Sequence, residues 1–192
     1  MPTALNECTG KVGNRLLVVG CCGAGKSTFA RHLSMLTGVP LVHLDKEYWR
    51  PGWIEPEKDQ WTAKVETLIV EPRWIIDGNY VSTLPLRLRR ADSVIFLDLP
   101  RRICVLRSIL RILRGYGRTR AGMTQNCPER FHWEFLKFVW NFRRDHRPRV
   151  IEALRGFHGT VVILKSPSAV AAFLSAAFLA VTRNADGEES AS

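Results

Sequence analysis

The chain has 192 residues, 46% of them hydrophobic and 24% charged, the proportions of an ordinary globular protein and too few residues for two comfortable domains. Its formal charge of +10 is local: Arg101 to Arg155 carries 14 of the 28 Lys/Arg but only 4 of the 18 Asp/Glu, so this segment should seek a polyanion, whether a triphosphate, a phosphorylated substrate or a nucleic-acid backbone. No basic and apolar leader opens the sequence, and its longest apolar stretch, Ala169 to Val181, is broken by Ser175 and too short to cross a bilayer; a cytoplasmic protein without a membrane partner is expected.

Residues 1–13 are polar and aperiodic and read as a flexible N-terminus, followed by one domain over 14–182 and a disordered tail over 183–192. The domain opens with an apolar run, Arg15–Gly20, that reads as a strand. It leads into Gly20-Cys21-Cys22-Gly23-Ala24-Gly25-Lys26-Ser27, which satisfies G-x-x-x-x-G-K-[ST], and then into an amphipathic helical pattern over Lys26–Leu36. In that setting the glycines let backbone N–H groups converge on phosphate oxygens, and the helix starting near Lys26 adds its positive dipole end. Gly20, Gly23, Ala24, Gly25, Lys26, Ser27 and Thr28 form the expected nucleotide cradle, with Lys26 reaching the β- and γ-phosphates and Ser27 a Mg²⁺ ligand.

Four further strand-length runs follow at Leu41–Asp45, Trp74–Gly78, Ser93–Asp98 and Thr160–Lys165. Helical segments separate them: Pro56–Val70, Thr83–Arg90, Arg101–Arg114, a long stretch Glu129–Leu154 broken near Pro148, and Ser168–Ala180. Because the strand runs are nearly continuously apolar, both faces of the sheet should be covered. The alternation predicts an α/β, three-layer P-loop NTPase fold: a five-stranded parallel sheet with helices on both faces, a small helical lid, and functional loops at the carboxyl ends of the strands.

Asp45, Asp77 and Asp98 stand at or near those ends. A carboxylate closing a buried run, as Asp77 does, needs a metal shell or donors to stay charged, and Mg²⁺ with its waters supplies both; a strand-end cap is the bland alternative. Asp45 is placed to orient or deprotonate an acceptor hydroxyl, and Asp98, before Leu99-Pro100, to cap the next helix. Arg107, Arg111, Arg114 and Arg118 recur at helical spacing as a one-sign stripe; phosphate contact by Arg107 and Arg111 would offset its self-repulsion.

Tyr48, Trp49 and Trp53 offer either an aromatic wall for a planar acceptor or packing beneath a loop. The rings of Phe131, Trp133, Phe135, Phe138, Trp140 and Phe142 read mostly as core or lid packing, and His43 and His132 have no ligand-like spacing partner. The five cysteines, Cys8, Cys21, Cys22, Cys104 and Cys127, lack metal spacing and read as reduced thiols, with Cys21 and Cys22 inside the phosphate loop.

Beyond the phosphate loop, Ile75-Ile76-Asp77-Gly78 and Ala91 to Pro100 resemble the third and fourth strands of adenylate-kinase-like proteins. The runs His43-Leu44-Asp45, Tyr48-Trp49, Pro51-Gly52-Trp53, Asp77-Gly78-Asn79-Tyr80, Cys127-Pro128-Glu129 and Trp140 to Arg144 are similar to the bacterial DNA topology modulation proteins, a P-loop family related to adenylate kinases. The resemblance covers roughly Leu16 to Leu174 and implies Mg·ATP as phosphoryl donor, Asp77 beside the magnesium, and Arg107 and Arg111 on the nucleotide. It also implies a lid at about 115–145 containing Arg118-Thr119-Arg120 and completed by Arg143 and Arg144, and an acceptor held after Asp45.

The sequence departs from the nucleoside monophosphate kinases at Asp77-Gly78-Asn79-Tyr80-Val81, where they place an aromatic, a proline and an arginine after Asp-Gly. Their usual grip on the acceptor phosphate is missing there, and Arg87 and Arg90 are the candidates to replace it. Together these features imply a kinase acting on a small molecule or nucleotide. The alternative is an ATP-regulated nucleic-acid-binding protein, which the family's name suggests.

Overall fold

The computed structural model describes residues 13–189 apart from residue 121. The strands are β1 (Arg15–Gly20), β2 (Leu41–His43), β3 (Trp74–Asp77), β4 (Ser93–Leu97) and β5 (Thr160–Leu164). The helices are α1 (Lys26–Thr37), α2 (Leu44–Tyr48), α3 (Lys58–Leu68), α4 (Leu84–Leu88), α5 (Arg101–Gly115), α6 (Trp133–Asp145), α7 (Arg147–Arg155) and α8 (Pro167–Glu189), with a short 3₁₀ turn at Val81–Thr83. The strands form one five-stranded sheet in the order β2-β3-β1-β4-β5, and every pairing is parallel. The expected α/β sheet with helices on both sides is present.

β1 lies at the centre because Leu16 to Val19 has no polar side chain and must be covered on both faces; these four residues are at most 1% exposed. Register places Val18 beside Asp77 and Gly20 beside Leu97, so the glycine loop leaves the sheet at the same edge as the ends of β3 and β4. α1 packs against α8, with the Phe29 and Phe173 rings 5.8 Å apart. α5 packs against α6, and α6 against α7. The long helical stretch breaks where expected, with Pro148 in the first turn of α7.

Several boundaries differ from expectation. β2 ends at His43, so Asp45 lies in the first turn of α2 rather than at the end of a strand. The reason is local and tertiary together: β2 is an edge strand paired only with β3, Leu44 turns fully into the core, and Asp45 and Glu47 suit the positive end of a helix. α8 continues through Glu189 past the expected start of a tail; the expected flexible N-terminus lies outside the described residues except residue 13. The α5–α6 connection, 116–132, contains no helix, and α6 supplies the helical part of the region expected as a lid.

Candidate active site

Gly20, Gly23 and Gly25 all adopt positive φ, at 147°, 79° and 93°, the region that side chains disfavour. Space matters as much as conformation at Gly23, where a Cβ would stand 2.2 Å from the Cys104 carbonyl and 2.6 Å from Ser108 Oγ. The loop therefore rests directly on α5. Ala24 N–H donates to the Cys21 carbonyl at 3.1 Å, and Lys26, Ser27 and Thr28 open α1, leaving the first-turn N–H groups directed at the loop's concavity. Lys26 Nζ donates to the Cys21 carbonyl at 3.2 Å. Burial opposes its charge, and Cys22 when ionised, Asp77 and Asp45 hold its pKa above the usual lysine value.

Asp77 is 4% exposed. Its Oδ2 lies 3.0 Å from His43 Nδ1, whereas its Oδ1 is buried without a protein partner. Burial alone would raise its pKa, but His43, the Lys26 charge and the adjacent Ser27 hydroxyl outweigh it and keep the carboxyl below its ordinary value. A charged oxygen left bare beside Lys26 and Ser27 suits hydrated Mg²⁺, so the donor set expected for the metal, Ser27 and Asp77, fits that ion. His43 was unpartnered in sequence; its partner comes from the neighbouring strand, across the β2–β3 register.

Asp45 accepts from the Tyr80 hydroxyl at 3.0 Å and from Arg120 at 2.8 Å. Around it Tyr48, Trp61 and Tyr80 pack with ring centroids 4.6–5.0 Å apart, and Trp49 meets Trp53 at 5.2 Å. The α5–α6 connection covers this region. Thr124 Oγ1 donates to the Lys46 and Trp49 carbonyls at 2.8 and 2.6 Å, Gly52 N–H to Asn126 O at 3.0 Å, and Trp53 Nε1 to Pro128 O at 3.2 Å. Gly122 sits so close to the His43 ring that a Cβ there would be 3.2 Å from it. Of the two alternatives for these aromatic residues, packing beneath a loop is what Trp53 does, whereas Tyr48 packs against Trp49, Trp61 and Tyr80 and sends its hydroxyl to Glu55.

The arginine stripe is shorter than its spacing suggests. α5 ends at Gly115, so Arg118 leaves the face; Arg107, Arg111 and Arg114 line an open groove of about 410 Å³ with Leu110 and Gly115. Arg107 Nη1 is 3.5 Å from the Ala24 carbonyl. Arg111 lies 3.2 Å from Glu129, which also faces Arg120 at 3.6 Å. Glu129 is thus a buried anion that partners Arg111, one member of the stripe; it is the only acid between Asp98 and Glu134, a signal that could have singled it out.

Three expectations are corrected. Asp98 does not cap α5, whose first turn is preceded by Pro100 without a side-chain cap; instead Arg147 donates to both its carboxylate oxygens at 2.8–3.0 Å, with Arg143 at 3.8 Å. Arg87 and Arg90 are both engaged by backbone: Arg87 is fully buried on the carbonyls of Gly78, Asn79 and Tyr80, and Arg90 donates to those of Ile69 and Val70. The third is corrected in part: Phe142 is buried and Phe135 and Phe138 pack half-buried against the core, whereas Phe131, which precedes α6, and Trp133 and Trp140 are exposed, with Arg101 over the Trp140 ring at 4.4 Å. Cys21 and Cys104 are buried free thiols, and their mutual contact and burial raise the Cys21 pKa. Among the described residues, no helix is long and apolar enough to cross a membrane.

No protein-family model and no curated protein matches the chain, so membership of the DNA topology modulation family is not shown. Solved structures do match. A shikimate kinase from Acinetobacter baumannii in complex with shikimate superposes with a TM-score of 0.58 at 17% identity, over 88% of this chain and 93% of that one. A gluconokinase from Sinorhizobium meliloti gives 0.51 at 17% identity, over 93% and 97%, and a shikimate kinase from Bacteroides thetaiotaomicron 0.52 at 16%, over 84% and 94%. At these identities the likeness establishes the fold alone, the one this chain shares with these shikimate kinases and this gluconokinase.

Proposed function

We propose that the protein is a Mg·ATP-dependent kinase that transfers the γ-phosphoryl group to a hydroxyl of a small acceptor. The observation that carries this reading is the bare, buried Asp77 Oδ1 beside Lys26 and Ser27, at the end of a glycine loop shaped for phosphates. The solved structures that share the fold include enzymes named for shikimate and gluconate, both small hydroxylated acids, which supports an acceptor of that general size.

Catalysis in such a site is positioning plus charge stabilisation. Lys26 and the first-turn N–H groups of α1 bind the β- and γ-phosphates, and Arg107, on the loop's outer side, adds a donor. Ser27 and Asp77 would hold Mg²⁺, which would supply charge neutralisation to the phosphates. Asp45 orients the acceptor hydroxyl and takes up its proton, with the Tyr80 hydroxyl fixing the carboxylate. Arg111, Arg120 and Arg143 belong to the cover that excludes water, which otherwise competes as acceptor.

An AMP-type acceptor is disfavoured because the arginine nearest the Asp-Gly turn, Arg87, is sealed in the core. A nucleic-acid regulator is disfavoured because Arg111, Arg120 and Arg147 in the basic segment pair with Glu129, Asp45 and Asp98. The deciding experiment measures ADP release with Mg·ATP across hydroxylated acids, sugars, nucleosides and nucleotides, alongside a DNA titration at several salt concentrations. Acceptor-stimulated ADP release that is lost in Asp45→Asn supports the kinase. Sub-micromolar DNA binding at physiological salt with no stimulating acceptor would overturn it, because nonspecific contacts are ordinarily weaker than about a micromolar there.

A further inference from the structure

The turn after β3 is built around two side chains that the kinase scheme leaves without a role, Asn79 and Arg87. Asn79 grips one residue of the phosphate loop from both sides: its Oδ1 accepts from Gly20 N–H at 2.9 Å and its Nδ2 donates to the Gly20 carbonyl at 2.7 Å. The β1–β3 ladder runs only to Val18 and Asp77, and Gly78 N–H adds one bond to the Val18 carbonyl. Beyond that the Asn79 amide does what a neighbouring strand would do, pairing Gly20 on the side facing β3. On the other side Leu97 presses so closely that a Gly20 Cβ would be 2.6 Å from its carbonyl. The first glycine of the loop is therefore held between β4 and a side chain.

Arg87 fixes the other end of the clamp. It is fully buried, and its guanidinium donates to three consecutive carbonyls, Gly78, Asn79 and Tyr80. No carboxylate faces it among the described residues, and burial pulls its pKa down to about 9. An apolar side chain would fill this core position without the desolvation cost, so the arginine answers a need of the turn. That need is visible at Tyr80, which sits in the left-handed region at φ 33° and sends its hydroxyl to Asp45.

We infer that Asn79 is a positioning residue that sets the shape of the phosphate loop through Gly20, and that buried Arg87 holds the turn from which Asn79 reaches it. The consequence for phosphate binding rests on the kinase reading; the clamp itself does not. Asn79→Ala removes both contacts to Gly20 without touching the core. Hydrogen exchange over residues 19–27 should accelerate in this variant, with or without nucleotide, while exchange in β4 and β5 stays unchanged. By calorimetry, the affinities for Mg·ATP and for inorganic tripolyphosphate should fall in parallel, roughly tenfold or more for two lost hydrogen bonds, with the melting temperature of the free protein little moved. Arg87→Lys, which retains the charge but cannot span three carbonyls, should reproduce the loop's faster exchange in weaker form. Asn79→Ser, too short to bridge both Gly20 groups, stands in if the alanine variant does not fold. Loop exchange equal to that of the unmodified protein overturns the inference. Faster exchange in a protein that binds neither Mg·ATP nor tripolyphosphate leaves the clamp standing and removes the kinase reading.

Discussion

At the scale of single residues the site divides into charges proposed to face ligand and charges that serve the protein. Among the described residues Lys26 donates one hydrogen bond, to a loop carbonyl, so Lys26→Ala should abolish tight Mg·ATP binding while circular dichroism shows the fold of the parent. Calorimetry with Mg²⁺ present checks this, and an unchanged affinity would falsify the assignment. Asp77→Asn keeps the contact with His43 in reach but discharges the bare Oδ1. Turnover should fall roughly 10–100-fold, the loss typical when a group orienting a metal's shell is removed, with ATP affinity less affected. A full-rate Asp77→Asn enzyme with unaltered Mg²⁺ dependence would move the metal role elsewhere. Arg87 shows why residue type alone misleads: its charge suggests a ligand, and its fully buried position makes it a brace.

Among the elements, β4 and α7 are joined by one buried ion pair. Asp98 is 5% exposed and takes two-pronged donation from Arg147. Removing one partner leaves a carboxylate in the interior with only Arg143 nearby at 3.8 Å. Arg147→Ala should therefore cost roughly 3 kcal/mol, the lower end for a broken buried pair because Arg147 keeps some solvent contact. Asp98→Asn combined with Arg147→Leu should recover much of that loss. Urea unfolding of the single and double variants tests both statements, and a double variant no more stable than Arg147→Ala would show that the pair is not what joins these elements. Neither partner was visible as such in sequence, where Asp98 resembled a helix cap; they are 49 residues apart and meet only because α6 and α7 fold back over the end of β4.

Over the whole molecule, the 116–132 connection straps α2 to α5. Arg120 meets Asp45 of α2 at 2.8 Å and, inside the connection, Glu129 at 3.6 Å, which Arg111 of α5 meets at 3.2 Å. Arg120→Ala should loosen the strap, so that limited proteolysis within 116–132 speeds up and acceptor-independent ATP hydrolysis rises relative to transfer. Unchanged cleavage and an unchanged ratio would assign closure to the Thr124 and Trp53 contacts instead. Nucleotide should also stabilise the entire fold by mass action: at a hundredfold excess over Kd, Mg·ATP should raise the melting temperature by about 5–10 °C. Lys26→Ala should show almost none of this shift in a thermal scan.

From sequence alone the parallel sheet, the order of elements and the phosphate loop were legible, because continuous apolar runs, glycine spacing and the Lys-Ser pair are local signals that a strand and helix must answer in one way. The partners of His43, Asp98, Asn79 and Arg111 were not, because each lies 18 to 59 residues away along the chain. Sheet register sets the first of these meetings, and the packing of turns and helices at the sheet's carboxyl edge sets the others. Asp45 lies between the two cases: its carboxylate suits the first turn of a helix, but that the helix starts there follows from how the edge strand β2 ends. Local patterns determine which elements form; long-range packing in a low-dielectric interior determines which charges meet, and so which arginines hold the frame.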